Sequence, residues 1–417
     1  MNNQWDVIVV GGGLAGLTAG ATAQRNGARV VVLEAHRPGG RARTVERDGF
    51  TLNMGAHALY AGGAGMRVLH SLGVSPRGAP PPLARYRALT GDGHHLMPTG
   101  PASMLRTDVL GARSKAQLLG VFGALRRITP RDLDHVSVAE WIADHRLRPD
   151  AEAVVRALIR LSTYSDDTEA FSAGAAVAQL QAAADGGVLY LHDGWGQLID
   201  SLSASLDVRT GVEVVGVEAA AGRVEVTTRD SGMSARCVVV AVGGPTAVRR
   251  VLPVEPEWGD LGPPVTAACL DLGVSRMPEP GYVLSLDDPL YTTVQSPPAR
   301  QVAGGGAVVA AIRYGARAAA DDRAQLEGLV ATAGVRPEDV VTRRFLADMT
   351  VSGTLPRART GGLAGRPTVT ATGTPGVLMA GDWVGPEGLL GDASLASGHA
   401  AGRLAAQHRS GSSMMVR

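Results

Sequence analysis

Gly11, Gly13 and Gly16 form a Gly-x-Gly-x-x-Gly pattern, and Glu34 follows 18 residues after the last of them. A pyrophosphate is anionic and needs backbone N–H donors at close range, which a Cβ atom obstructs. Glycines here clear that approach. A helix opening at Leu14 and Ala15 would add the partial positive charge of its N-terminus. A carboxylate at Glu34 can accept both hydroxyls of an adenosine ribose and would repel a phosphorylated one, which disfavours NADP. The elements that must position these groups are legible around them. Residues 6–10 are a short apolar run of the kind buried in a parallel sheet. Residues 17–25 read as a helix stopped by Asn26-Gly27, and 29–33 as a second buried strand. Strand, glycine turn, helix and strand within about 30 residues open a dinucleotide-binding fold.

The acid is followed by Ala35, by Pro38-Gly39-Gly40-Arg41-Ala42-Arg43-Thr44, and then by Asn53-Met54-Gly55-Ala56-His57. In these segments the chain resembles the flavin amine oxidoreductase superfamily, which includes phytoene-desaturase-like enzymes, protoporphyrinogen oxidases and amine oxidases. The resemblance implies FAD, with the loop through Gly40 and Arg41 wrapping its pyrophosphate and ribityl chain and with Gly55 and Ala56 beside it. The planar fork of Arg41 suits either a phosphate or the locking of that loop. The resemblance returns at residues 190–198, in a segment that introduces a helix, and at Val212 and Val215, a hairpin whose first valine meets adenine through its backbone. It returns again at 239–245, and at Gly381-Asp382-Trp383 followed by Gly391-Asp392-Ala393-Ser394-Leu395. By resemblance, Asp382 hydrogen-bonds the ribityl or phosphate portion. The helix carrying Ala393, Ser394 and Leu395 aims its N-terminus at the flavin edge that gains negative charge on reduction. His57 falls near the flavin's reactive face, where imidazole could take a proton as hydride leaves; a histidine bracing the loop is the equal alternative.

Departures from the superfamily pattern narrow the reading. Amine oxidases keep a lysine near the flavin on a strand before the last FAD segment, and residues 264–315 contain none. Aromatic residues are only 4%, which provides poorly for a two-tyrosine amine cage and leaves Tyr282, Tyr291 and Tyr314 as candidate wall residues. The C-terminal third has no cysteine, so the FAD is expected to be non-covalent. His192 and Tyr164 read as structural. The segments 55–57 and 381–386 lean towards phytoene-desaturase-like relatives.

With 417 residues and 45% hydrophobic content, the chain can bury two large cores. The fold expected is α/β, a Rossmann-like FAD-binding domain (1–75, 190–255 and 355–417) interleaved with a mixed sheet-plus-helices substrate domain (76–189 and 256–354). Forty basic against 39 acidic residues give a net charge of +1, which argues against a nucleic-acid-binding protein. No run approaches a bilayer span, and strand character begins near Asp6, so the expectation is a cytoplasmic protein without a leader. Cys237 and Cys269 lack metal-ligand spacing, and no metal is expected. Lys115 is the sole lysine; its helix, near 112–127, reads as a solvated substrate-domain helix rather than a membrane anchor. The function expected is FAD-dependent removal of hydride from a C–H bond of a small or medium hydrophobic molecule, forming C=C or C=N. The electron acceptor is left open among oxygen, a quinone or another group. The alternatives are an amine or protoporphyrinogen-type oxidase, a redox-neutral flavin-dependent isomerase, and a non-catalytic flavoprotein partner.

Overall fold

The computed structural model describes residues 5–55, 58–220, 222–256, 258–302, 305–315 and 319–408. It is a mixed α/β structure built on two seven-stranded sheets with a large cavity between them.

In the first sheet, Asp207–Thr210, Val30–Glu34, Trp5–Val10 and Gly232–Val240 run parallel in that order. The far edge of Gly232–Val240 is shared. Its first residues pair antiparallel with Arg223–Thr228, and Val238 to Val240 pair parallel with Val377–Met379. The antiparallel strand Val214–Ala220 closes this side. Val7 to Val10 are buried on both faces, which is why the run is uniformly apolar rather than alternating. One face is covered by the helix Leu14–Arg25 and by the last helix, Leu390–Gln407. These two lie so close that a side chain at Gly398 or Gly402 would run into the carbonyl of Ala15 or Ala19. Small residues one turn apart set the distance between the first and last helices of the chain.

The second sheet runs Val340–Ser352, Val265–Val274, Ala307–Tyr314, Leu290–Val294, Val283–Ser285, Arg87–Thr90, Gly93–Leu96. All its pairings are antiparallel except Val283–Ser285 with Arg87–Thr90. The helices Ala112–Leu125, Pro149–Thr163 and Ala173–Gly186 share a core with it. Ser137 and Glu140 form the capping box expected of their spacing at the start of Val138–Asp144: the Ser137 hydroxyl accepts from the Glu140 N–H at 3.1 Å, and the Glu140 carboxylate from the Ser137 N–H at 2.8 Å.

Three side-chain tethers fix elements around the cavity. Buried Arg160 donates to the carbonyls of Ser285, Leu286 and Asp288, holding its helix against the second sheet. Arg344 pairs with Asp271 at 2.5 Å and donates to the Asn53 carbonyl, joining that sheet to the chain leading into Gly55. Lys115 donates to the carbonyls of Leu105 and Thr107, at 3.0 and 2.7 Å, and so ties its helix to the preceding segment.

Candidate cofactor and substrate site

The cavity has a volume of about 1150 Å³ and is lined from both halves of the molecule. On the first-sheet side its wall is the glycine turn. Gly11 has φ +104°, and a Cβ there would meet the Ala241 carbonyl oxygen at 2.5 Å. Gly16 is packed so tightly on the Gly11 carbonyl that no side chain fits, and it does not line the cavity. Gly13 does, with open space where its Cβ would be. It is also the N-cap of Leu14–Arg25 and brings no side chain to cap it. The first-turn N–H groups, those of Leu14 and Ala15 among them, therefore lack an intrahelical partner beside the cavity.

Glu34 lines the cavity at the end of its strand. Its Oε2 accepts from the Gly12 N–H at 2.7 Å and its Oε1 from the His36 N–H at 2.8 Å. Two backbone donors thus orient the carboxylate, and each oxygen keeps a lone pair for a ligand hydroxyl. Ala35, Gly40, Gly55 and Val212 also line the cavity, and the Val212 N–H donates to the Glu34 carbonyl at 3.0 Å.

Arg41 is committed to the protein. Its Nη1 donates to Asp382 Oδ2 at 2.8 Å and to the Val351 carbonyl at 2.9 Å, locking the loop while still lining the cavity. The Asp382 carboxylate raises the guanidinium's pKa still further. Asp382 also accepts from the Gly353 N–H at 3.1 Å, and its Oδ1 is buried with no partner among the described residues. Arg366 holds the Asp382 and Gly388 carbonyls, and burial draws its own pKa down to about 10. Gly381, on the same turn, lines the cavity.

The last helix begins with no side-chain cap, and Leu390, Gly391, Asp392 and Ser394 line the cavity. Ala393 and Leu395, expected at the cofactor, are instead fully buried in the core, off the cavity. Ala393 and Leu395 flank Ser394 and, turned about 100° from it to either side, face the core. Asp392 does not stand out in the sequence as a site residue. Its Oδ1 accepts from the Gly65 N–H at 3.0 Å, at the start of the helix Ala64–Ser71, whose N-cap Gly63 has no side chain. One helix thus caps another. Burial pushes the Asp392 pKa up to about 7. An acid in a first helical turn is the signal that could have found it.

The opposite wall is formed by the second sheet, its helices and the short paired strands Leu59–Tyr60 and Val188–Leu191. Tyr60, Tyr86, Tyr164, Tyr190 and Tyr291 line it, five of the chain's seven tyrosines. A low aromatic content is thus concentrated in one place. Tyr291 is a wall residue as expected. Tyr282 and Tyr314 sit behind the wall, with ring centroids 5.1 Å from Tyr86 and 5.8 Å from Tyr164. Tyr164, structural by its sequence context, faces the cavity, held at φ +60° where its helix ends. His192 does not line the cavity. Ala56 and His57 lie outside the described residues. Both cysteines are buried and free, and no group of side chains among the described residues could hold a metal ion. No helix among the described residues is long and apolar enough to cross a membrane.

The family pattern of the flavin containing amine oxidoreductases matches residues 14–273, more than half of the chain. The chain belongs to this family. Its members are flavin-dependent oxidoreductases, and flavin is the cofactor the family implies. A limonene dehydrogenase polypeptide of Castellaniella defragrans is 36% identical over 133 residues, 31% of this chain and 21% of that protein. Hydroxyneurosporene desaturase of Rhodobacter capsulatus is 31% identical over 157 residues, 35% of this chain and 28% of that protein. The chain thus spans less than a third of either relative. An oxidoreductase of Methanosarcina mazei has the same fold, with a TM-score of 0.74 at 16% identity over 94% of this chain and 99% of that one.

Proposed function

We propose that this member of the amine oxidoreductase family holds FAD non-covalently and removes hydride from a C–H bond of an apolar molecule, leaving C=C or C=N. One observation carries the reading: a single cavity has a dinucleotide cradle on one wall and a largely apolar, tyrosine-bearing surface on the other. The cradle suits FAD. Gly13 leaves room where a Cβ would stand, two helices present uncapped N-termini, Glu34 keeps free lone pairs, and Asp382 has a buried oxygen without a partner. Bound there, the flavin supplies the hydride-accepting chemistry.

The chain's own residues do the rest. Leu14 and Ala15 present backbone donors to the pyrophosphate, and Glu34 accepts from the ribose. Arg41 and Asp382 clamp the loop over the cofactor. Leu83, Met97, Leu158, Leu161 and Leu284 on the opposite wall exclude water and seat the apolar substrate. We place the protein in the cytoplasm, a compartment that suits two free thiols.

Two measurements test this reading. Acid denaturation of the purified protein releases intact FAD; release of FMN, or of no flavin after reconstitution, overturns the proposal. Anaerobic mixing with an unsaturated cyclic hydrocarbon bleaches the flavin absorbance; a flavin that no apolar substrate reduces removes the dehydrogenase function. His57 enters the proposal as the proton acceptor, on its sequence context alone. The His57→Ala variant keeps FAD and slows flavin reduction by roughly 10²–10⁴-fold, and it loses the rise of rate with pH that an unprotonated base confers. Stopped-flow reduction across pH measures both effects.

A further inference from the structure

Tyr86 precedes the strand Arg87–Thr90, Tyr190 lies on Val188–Leu191 and Tyr291 on Leu290–Val294. Segments far apart in the chain bring three phenol hydroxyls together in the cavity wall. Tyr86 Oη lies 3.1 Å from Tyr190 Oη and 3.0 Å from Tyr291 Oη, and the last two lie 3.1 Å apart. The Thr293 hydroxyl joins them, 2.8 Å from Tyr190 Oη and 3.3 Å from Tyr86 Oη. The rings are fixed by packing: Tyr86 and Tyr291 lie nearly parallel, at 8°, and Tyr282 backs Tyr86.

A wall built only to seat a hydrocarbon needs none of these hydroxyls, because phenylalanine fills nearly the same volume. Five of seven tyrosines line the cavity but only one of four phenylalanines, Phe122. Burial pushes the Tyr86 and Tyr291 hydroxyls well above their usual pKa, so both remain neutral. Four hydroxyls carry four protons and eight lone pairs. With every proton used internally, four lone pairs remain to accept from a ligand. With one proton turned towards the cavity, three still bind the cluster together. It can therefore donate to a carbonyl or accept from a hydroxyl without stranding a buried polar group. No carboxylate belongs to the cluster, so it offers an ammonium no counter-charge.

We propose that the Tyr86–Tyr190–Tyr291 hydroxyl cluster is a specificity subsite that receives a neutral oxygen function, hydroxyl or carbonyl, of an otherwise apolar substrate. The inference rests on the reading of the cavity as a substrate pocket. The substrate class becomes an oxygenated hydrocarbon, held at its oxygen while a C–H bond elsewhere on it faces the cofactor wall.

Calorimetric titration of the FAD-loaded protein with three probes sharing a ten-carbon skeleton tests the subsite: limonene, its alcohol carveol and its ketone carvone. The wild type is expected to bind carveol and carvone at least about fivefold more tightly than limonene. Tyr190→Phe and Tyr291→Phe should each cut that margin by about three- to tenfold, the scale of one neutral hydrogen bond. Limonene affinity and FAD content serve as internal controls and should hold. Equal binding of all three probes by the wild type overturns the proposal, as does a margin that survives both substitutions. The wild-type comparison stays decisive even if a variant fails to fold. Binding of none of the probes by FAD-loaded protein overturns the pocket reading itself, and the subsite with it.

Discussion

At the scale of single residues, two carboxylates on the cavity wall have opposite tasks. Glu34 is oriented by two backbone N–H groups and retains acceptor capacity for a ribose. Replacing it by Ala should weaken FAD binding by about tenfold or more, given about 1.5–3 kcal/mol for hydrogen bonds to a charged group. Fluorescence titration of apoprotein with FAD measures this, and an unchanged Kd would remove Glu34 from the cofactor site. Asp392 instead suffers from its burial. Its pKa is raised from 3.8 to about 7, so the folded state favours the neutral acid. Well below pH 4 the group is protonated in both folded and unfolded chains, and its burial costs no ionisation energy. As pH rises towards 7 only the unfolded chain ionises freely, so the folded protein loses stability; above 7 the penalty is constant. Asp392→Asn keeps an acceptor for the Gly65 N–H and cannot ionise. Its melting temperature should gain on the wild type as pH rises from 4 to 7 and then keep pace. A difference independent of pH would show that Asp392 does not titrate in that range.

At the scale of elements, the site depends on how closely helices approach. A methyl at Gly398 would drive the last helix away from the Ala15 carbonyl, so Gly398→Ala should destabilise the fold by about 1–3 kcal/mol through overpacking. Chemical denaturation measures this, and Ala at the exposed Gly120 serves as the control. The same comparison explains which elements the sequence reveals. Apolar runs such as Val30–Glu34 and capped helices such as Val138–Asp144 declare themselves locally. Other elements do not. Asp207–Thr210 is a four-residue edge strand with a single apolar residue, Val208, and its strand character comes only from pairing with Val30–Glu34. The last helix starts at Leu390, where Gly391 and Asp392 interrupt the apolar period and face the cavity and a second helix. In the hairpin expected at Val212 and Val215, the strand is Val214–Ala220, with a register shift between Val214 and Gly216. Within the site, the glycine turn from Gly11 to Gly16 is local and legible in the sequence. The tyrosine cluster is not, because strand pairings unite positions 86, 190 and 291 and no spacing encodes that.

At the scale of the whole molecule, cavity-lining residues run from Val10 to Ser394. A ligand held in this cavity therefore bridges both sheets, and its binding energy adds to the stability of the folded protein. Free FAD at 100 times its Kd should contribute about 2.7 kcal/mol, and melting temperature should climb with each further increment. A melting temperature indifferent to added FAD would show that the cofactor does not span this fold.

The pairing of the first helix with the last also bears on how the protein is made. Leu14–Arg25 is made long before the surface that packs against it, which arrives with Gly398 and Gly402. At about 5–20 residues per second, roughly 20–75 s separate the two events. Throughout that interval one side of the nascent nucleotide-binding unit lacks its partner, and Asp382 and Ser394 have not yet been added to the cavity wall. The cavity wall is therefore complete only once the C-terminal helix has docked against the first.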